Sequence, residues 1–465
     1  MYIGWCTIKM LKVRFVNKMK RIFFFLTIGM LLAACTDNDT FTTSTSSRLT
    51  FSVDTVKMDT VFASVGSSTY TFWAFNNNSN GIRIASVRLK KGNQTGFRVN
   101  VDGAYLDNTL GSVVSDLEVR KGDSIRVFVE LTAPVGNEME ARLLTDDLIF
   151  TLESGVEQNV VLQGCAWDAE MWNDKVFTTS TLIASKRPIV VYGGIKVEKN
   201  VTLTLRNTQF FFHDQAGMDV YGTLIVDSVL MRGDRLDHMF DYLPYDRVSG
   251  QWRGLHFFES STGNQMHLTE IRNATDAIVC DSSRLANDNQ RLFMDSCIVH
   301  NSKGTALQLY NAYVGLKDCQ ITNTGGSGIV AYGGAVLLEG CTLAQFYPFT
   351  ADRGVALCFY NAYEDNPYPL ETLSCRNTIL TGYADDELMG TQTKEDAAFN
   401  YIFENCLLRT PEVKDDTLHF KNIIWENPKD EIQGKRHFKL VDEQNLIYDF
   451  HLDSLSTAKG LGCYR

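Results

Sequence analysis

The densest group of side chains able to do chemistry lies between Arg232 and Trp252. Asp234, Arg235, Asp237, His238, Asp241, Tyr242, Tyr245, Asp246 and Arg247 all fall within that short stretch. Carboxylates and guanidinium groups offer paired hydrogen bonds to hydroxyls, and tyrosine rings offer flat faces to sugar C–H groups. The combination suits a carbohydrate, so these residues form the candidate ligand-binding loop. A solvated loop whose charges pair among themselves would use the same residues and add little stability. A second stretch, Tyr363-Glu364-Asp365-Asn366-Pro367-Tyr368-Pro369, is aromatic and acidic. A third, Asp385-Asp386-Glu387, carries oxygen ligands that a hard cation such as calcium could use. Three acids in a row are more often solvated, and no metal ligand or cofactor is assigned.

Catalysis asks for more. Glycoside hydrolysis needs two acids fixed at a defined separation, and a lyase needs a base near neutrality beside a cation. Acids are plentiful, but none recurs in such a set, so no catalytic residue is assigned. Lys196 and Arg206 sit in alternating runs and are expected to point outward.

The elements that must carry these loops repeat. Thr305-Ala306-Leu307-Gln308-Leu309-Tyr310-Asn311 and Val314-Gly315-Leu316-Lys317-Asp318-Cys319-Gln320-Ile321 return 22 residues later, with Tyr310 falling on Tyr332, Cys319 on Cys341 and Ile321 on Leu343. Met294 to Val299 fits the same frame one interval earlier. Short alternating strands at a fixed interval, with small or turn residues between them, mark a β-solenoid. Tyr310-Asn311-Ala312-Tyr313 recurs as Tyr360-Asn361-Ala362-Tyr363, and Gly or Asn after the tyrosine suits a tight corner. In this frame Cys297, Cys319, Cys341 and Cys406 form one inward column, with Asn377 in the intervening slot. Leu307 and Leu337 are expected to face inward. Small buried fillers explain these thiols better than disulfides, because stacked parallel neighbours rarely offer disulfide geometry.

Several segments resemble right-handed parallel β-helix proteins of the pectate-lyase-like kind. Gln251-Trp252-Arg253-Gly254-Leu255 is similar to their Trp-x-Gly-[Ile/Leu] strand, and Phe438 to Asp442 with Tyr448 to Leu452 resembles their closing segment. The usual proline and apolar residue at the end are missing from Ser456-Thr457-Ala458-Lys459-Gly460. The resemblance implies a fold over residues 180–455 that hosts many polysaccharide lyases and hydrolases, and fold alone does not fix activity.

Residues 48–165 alternate in the manner of an antiparallel sandwich, for example Tyr70-Thr71-Phe72-Trp73-Ala74-Phe75, with turn clusters such as Asn76 to Gly81 between runs. The order of Val65-Gly66, the Asn-rich turn, Gly122-Asp123-Ser124 and Val160 to Gly164 resembles Ig-like domains of the ASPM/SPD-2/Hydin type. The expected fold class is therefore all-β: an N-terminal Ig-like antiparallel β-sandwich followed by a right-handed parallel β-helix solenoid.

Ahead of both, Met19-Lys20-Arg21 and the apolar run Ile22 to Leu32 form a basic head and a hydrophobic stretch too short to span a bilayer. Leu32-Ala33-Ala34-Cys35 resembles the lipobox of bacterial lipoproteins. This implies a signal peptide over residues 1–34 (starting at Met19), lipidation of Cys35, a polar tether to residue 47, and attachment to the outer membrane at either face. Acyl chains together hold a protein to a membrane where a single chain is marginal. The whole chain carries a net charge of -11. Without the basic leader the remainder is more acidic still, which disfavours nucleic acid as a partner. Eleven cysteines include no CxxC pair, which argues against a zinc site. The expected function is a membrane-anchored envelope lipoprotein that presents its β-helix to a polysaccharide or another envelope partner. The alternative is a polysaccharide lyase or glycoside hydrolase of the same architecture.

Overall fold

A computed structural model describes residues 40–282, 290–427 and 431–464. The leader, Cys35 and the start of the tether lie outside the described residues. Contacts group the chain into two units, the first of residues 40–56, 69–130 and 145–163, the second of 57–68, 131–144 and 164–464.

Two antiparallel-rich sheets are formed between residues 41 and 167. One orders the strands Phe41–Thr42, Gly81–Leu89, Arg142–Leu152, Glu157–Trp167 and Thr55–Phe62, with Val113–Val119 also on Gly81–Leu89; the other orders Thr50–Phe51, Tyr70–Phe75, Ser124–Leu131, Phe97–Val101 and Ala104–Tyr105. Alternation puts Phe72 and Ala74 inside while Trp73 stays out beneath the Arg126 guanidinium. Phe51 and Phe150 meet across the sheets with ring centroids 4.9 Å apart. The Asn-rich turn is fixed by the buried Asn76, whose amide donates to the carbonyls of Asn80 and Val119.

In the second unit, 24 strands among the described residues, from Glu170–Phe177 to Ile424–Trp425, join one continuous sheet whose strands pair in parallel. Each coil lays its strands on those of the coil before: Tyr310 pairs with Tyr332, Ile321 with Leu343, and Ile298 with Gln320 and then Thr342. This is a parallel β-helix. Its interior is a column of Leu, Ile, Val, Met and Phe, with Leu307, Leu309, Val314, Ile329, Val336 and Leu343 all fully buried. Trp252 lies within that column. Its ring stacks on Phe212 at 4.4 Å, and its indole N–H donates to the Arg272 carbonyl at 2.9 Å. Gly254, two residues on, has φ of +108°, and a Cβ there would meet the Asp276 carbonyl oxygen at 1.8 Å. The spacing of the Trp-x-Gly strand thus has a steric cause.

Corners are made by residues that accept positive φ, including Asn273, Asn301, Asn323, Asn377, Asn405 and Asn422. Their amides stack as ladders, Asn301 donating to Asn273 at 2.9 Å and Asn422 to Asn405 at 2.9 Å. Cys297, Cys319 and Cys341 do stack as buried free thiols. The slot between Cys341 and Cys406 belongs to Thr378, not Asn377, which sits one residue earlier at the corner. Leu337 also departs from expectation. It is half-exposed, and Leu338 is the inward residue. The inward phase changes from odd to even positions across the Gly333-Gly334 corner, as it does across Asn311 one coil earlier.

Past the last parallel strand, a six-residue helix (Glu431–Arg436) leads into an antiparallel hairpin of Phe438–Asp442 and Ile447–Leu452. The segment expected to close the solenoid is therefore not another coil. Phe438 and Phe450 pack on Ala344, Phe346, Ile379 and Leu407, the apolar outward side of the last coils. Beside them His437 Nε2 lies 2.6 Å from the Glu426 carboxylate, which also accepts from Thr381 at 2.8 Å, all buried.

Candidate functional site

The strands Ile195–Val197 (the end of Ile189–Val197), Gly217–Val220, Gly254–Phe257, Ile278–Cys280, Leu307–Tyr310, Ile329–Tyr332 and Leu357–Tyr360 form one face of the β-helix. Alternation turns their leucines and isoleucines inward and leaves polar and aromatic residues outside. Strands in one sheet lie about 4.8 Å apart, so equivalent rings on neighbouring coils must meet. Tyr332 stacks on Tyr310 at 5.2 Å and 13°, and on Tyr360 at 5.3 Å and 18°. Tyr363, carried by the turn after Tyr360, sets its ring edge-on to both Tyr310 and Tyr332 at 4.8 Å. Burial beside these neighbours pushes the Tyr310 and Tyr360 phenols up to about 12, so the rings stay neutral. All four are half-exposed.

Earlier coils extend this face with a second group. Phe258 stacks on Tyr221 at 4.1 Å and on the His256 imidazole at 3.9 Å. His256 Nε2 lies 2.8 Å from Asp281, and Arg253 donates to Asp219 at 2.7 Å. Lys196 holds its ammonium over the Tyr221 ring at 5.2 Å. The face therefore combines stacked rings with carboxylates and cations already oriented by partners. Such a surface can lie along a sugar chain, with ring edges against its apolar C–H groups and polar side chains toward its hydroxyls.

The loop singled out from sequence divides. Asp234, Arg235, Asp237 and His238 turn to one side: Asp234 pairs with His213 at 2.7 Å, Arg235 with Asp237 at 2.6 Å, and His238 with Asp59 at 2.9 Å. Burial raises the Asp234 carboxyl, while the Arg235 guanidinium and the Ser68 hydroxyl hold Asp237 below its ordinary value against the opposing effect of burial. Tyr245 lies under the Arg235 guanidinium at 4.0 Å. Asp241 and Tyr242 sit at the exposed hairpin tip, where Tyr242 stacks on Phe240. Asp246 and Arg247 turn toward the C-terminal hairpin, Arg247 donating to the Asn445 carbonyl at 2.6 Å. Most of these charges are spent on ion pairs within the unit, and the loop does not converge on one point.

Of the acid run, Glu387 is not solvated. It is buried, accepts from the backbone of Ala356 and Ala384 at 2.8 and 2.9 Å, and its carboxyl is pushed up to about 8 by burial. Among the described residues no group of three or more His, Cys, Asp or Glu could hold a metal, and no helix is long and apolar enough to cross a membrane. Reading the tyrosines only as corner residues missed the ladder. The signal was present in the recurrence of Tyr310 at Tyr332 and of Tyr310-Asn311-Ala312-Tyr313 at Tyr360 to Tyr363.

No family model and no curated protein matches the chain. Among solved structures it is similar to the catalytic unit of the thermostable GH87 alpha-1,3-glucanase of Streptomyces thermodiastaticus, with 10% identity over 77% of this chain and 89% of that one and a TM-score of 0.28. It is also similar to the ASH / PapD-like domain 7 of human CEP192, with 12% identity, 27% and 89% coverage and a TM-score of 0.18. A family 123 glycoside hydrolase from Clostridium perfringens matches at 8% identity and a TM-score of 0.18, and the chain spans about a quarter of its length, 26% of each chain being covered. Likenesses this distant assign neither activity nor substrate.

Proposed function

We propose that this protein binds polysaccharide along the tyrosine face of its β-helix, held at the outer membrane by a lipid on Cys35. The observation that carries the reading is the stack of Tyr310, Tyr332 and Tyr360, with Tyr363 closing one side. Stacked on one another, the three rings turn their edges and hydroxyls outward as one ridge against which a sugar chain can lie, and no ring is needed there for packing the interior. Affinity electrophoresis of the purified protein through gels containing plant and host polysaccharides tests it. At least one polymer should retard the protein, and Tyr332→Ala should abolish the retardation. Equal mobility in every gel would overturn the reading. The anchor is checked separately, by incorporation of a labelled fatty acid that is lost in Cys35→Ala.

A second reading, glycoside hydrolysis, has one observation in its favour. Asp219 and Asp281 stand on the same face as the ladder, two coils apart, each oriented by a partner. Two coils and two residues along the strand correspond to about 12 Å between backbones, so the side chains would have to lean together to reach the roughly 6.5–9.5 Å that inverting hydrolases hold between carboxyls. New reducing ends, lost in Asp281→Asn, would establish hydrolysis; retention without products leaves binding as the function.

A further inference from the structure

On a different side of the β-helix, the outward residues of Glu270–Arg272, Ile298–His300 and Gln320–Thr322 form the floor of a cleft of about 390 Å³. The C-terminal hairpin supplies one wall and Asp246 with Arg247 the other. That size lies within the range of small-ligand pockets, about 300–1,000 Å³. The cleft exists because the hairpin covers only the apolar outward residues of the last coils and stops where the outward row becomes charged.

Most charged groups in the cleft already have partners, Arg247 being held by the Asn445 carbonyl. Asp246 is bridged by Arg232 at 2.5 Å and Arg272 at 3.1 Å, Glu270 meets Arg272 at 3.0 Å, and Asp449 meets His451 at 2.6 Å. An anionic ligand would face the carboxylates of Asp246, Glu270 and Asp449 with no donor to offer them. A neutral polyol can donate to them, since an ionised carboxylate has about four lone-pair sites and keeps some in reserve when salt-bridged. Burial and the Arg272 charge drop His300 to about 4, so its imidazole is neutral and bonded to Thr322 at 2.9 Å. The walls add rings. Tyr464 stacks on His451 at 4.0 Å and donates to Gln320 at 2.9 Å, Tyr448 lies parallel to Phe450, and Phe349 is half-exposed at the rim.

The geometry points to a second binding site in this cleft, separate from the tyrosine face, that takes a short neutral saccharide of about two sugar units. The fitting chemistry is the pairing of ring walls for C–H faces with oriented carboxylates and guanidinium groups for hydroxyls.

Calorimetric titration of the full protein carrying Tyr332→Ala, which silences the ladder, tests the site. The probes are cellobiose, maltose, lactose, xylobiose and mannobiose, with digalacturonate as the charged comparison. At least one neutral disaccharide should bind with one site per chain, and adding His451→Ala should weaken it about tenfold, the loss expected for one aromatic contact. His451 is half-exposed, so an unchanged melting temperature should accompany the loss; Phe349→Ala, at the rim, serves as the second variant. No binding by any neutral disaccharide, binding indifferent to both substitutions, or tighter binding of digalacturonate would each overturn the proposal.

Discussion

Tyr310 and Tyr332 lie one coil apart with ring centroids 5.2 Å from each other and planes within 13° of parallel. The separation slightly exceeds the strand spacing that sets it, so the rings remain stacked while both stay half-exposed. An aromatic pair in this geometry contributes about 0.5–1.5 kcal/mol, far less than an inward leucine.

The first prediction follows from that difference. Tyr332→Ala should remove polysaccharide retention yet lower the melting temperature by only a few degrees, since about 1 kcal/mol shifts a chain of this size by about 2–4 °C or less. Thermal denaturation run beside affinity electrophoresis checks both halves. A collapse of stability would mean the ladder holds the fold together and is not free for a ligand.

Inward and outward positions give the second. Leu307 is fully buried, so Leu307→Asp places an unpaired charge between coils and should cost about 3 kcal/mol or more. Leu337 faces out after the double-glycine corner, and Leu337→Asp should stay within about 1 kcal/mol of the parent. Urea titrations of the two variants should separate clearly; equal destabilisation would contradict the phase shift at Gly333-Gly334.

Glu387 yields a pH dependence. Its carboxyl rises from 4.5 to about 8 in the folded chain, because burial outweighs the two backbone N–H bonds and the nearby Arg409 and Arg353 charges. The folded state therefore keeps a proton that the unfolded chain gives up. The stability this contributes is full below about pH 4.5 and is lost as pH rises toward 8. Glu387→Gln should flatten that slope, gaining on the parent by about 3 °C between pH 5 and pH 8. Parallel slopes in thermal melts would show that the carboxyl is ionised when folded.

Gly254 makes the steric case. Any Cβ there collides with the Asp276 carbonyl, and the φ of +108° already excludes other residues. Gly254→Ala should cost about 3 kcal/mol or more, the range of severe backbone strain. Recovery of soluble, cooperatively melting Gly254→Ala protein at parent yield would be the contrary result.

Much of the architecture could be read from residue order alone, and for one reason. A parallel coil forces like positions to stack, so the 22-residue return of Tyr310, Cys319 and Ile321 had to become register. Parity across corners was less legible. Leu337 went astray because the inward phase changes across the corner at Gly333-Gly334, and Thr378 was hidden behind the more conspicuous Asn377. The geometry of the candidate loop was less legible. Asp234, Arg235, Asp237 and His238 stand together in sequence, whereas contacts with His213 and Asp59 orient Asp234 and His238. Local composition holds no information about such distant partners.

The C-terminal hairpin has a mechanical consequence. Rungs joined only to their nearest neighbours would peel from a free end one after another. Here the last residues reach back: the Tyr464 hydroxyl clasps Gln320, and the Asn445 carbonyl takes a hydrogen bond from Arg247, on coils completed more than a hundred residues before. Loosening the terminal rungs then means releasing the middle of the rod as well, so fraying is converted into a single cooperative event.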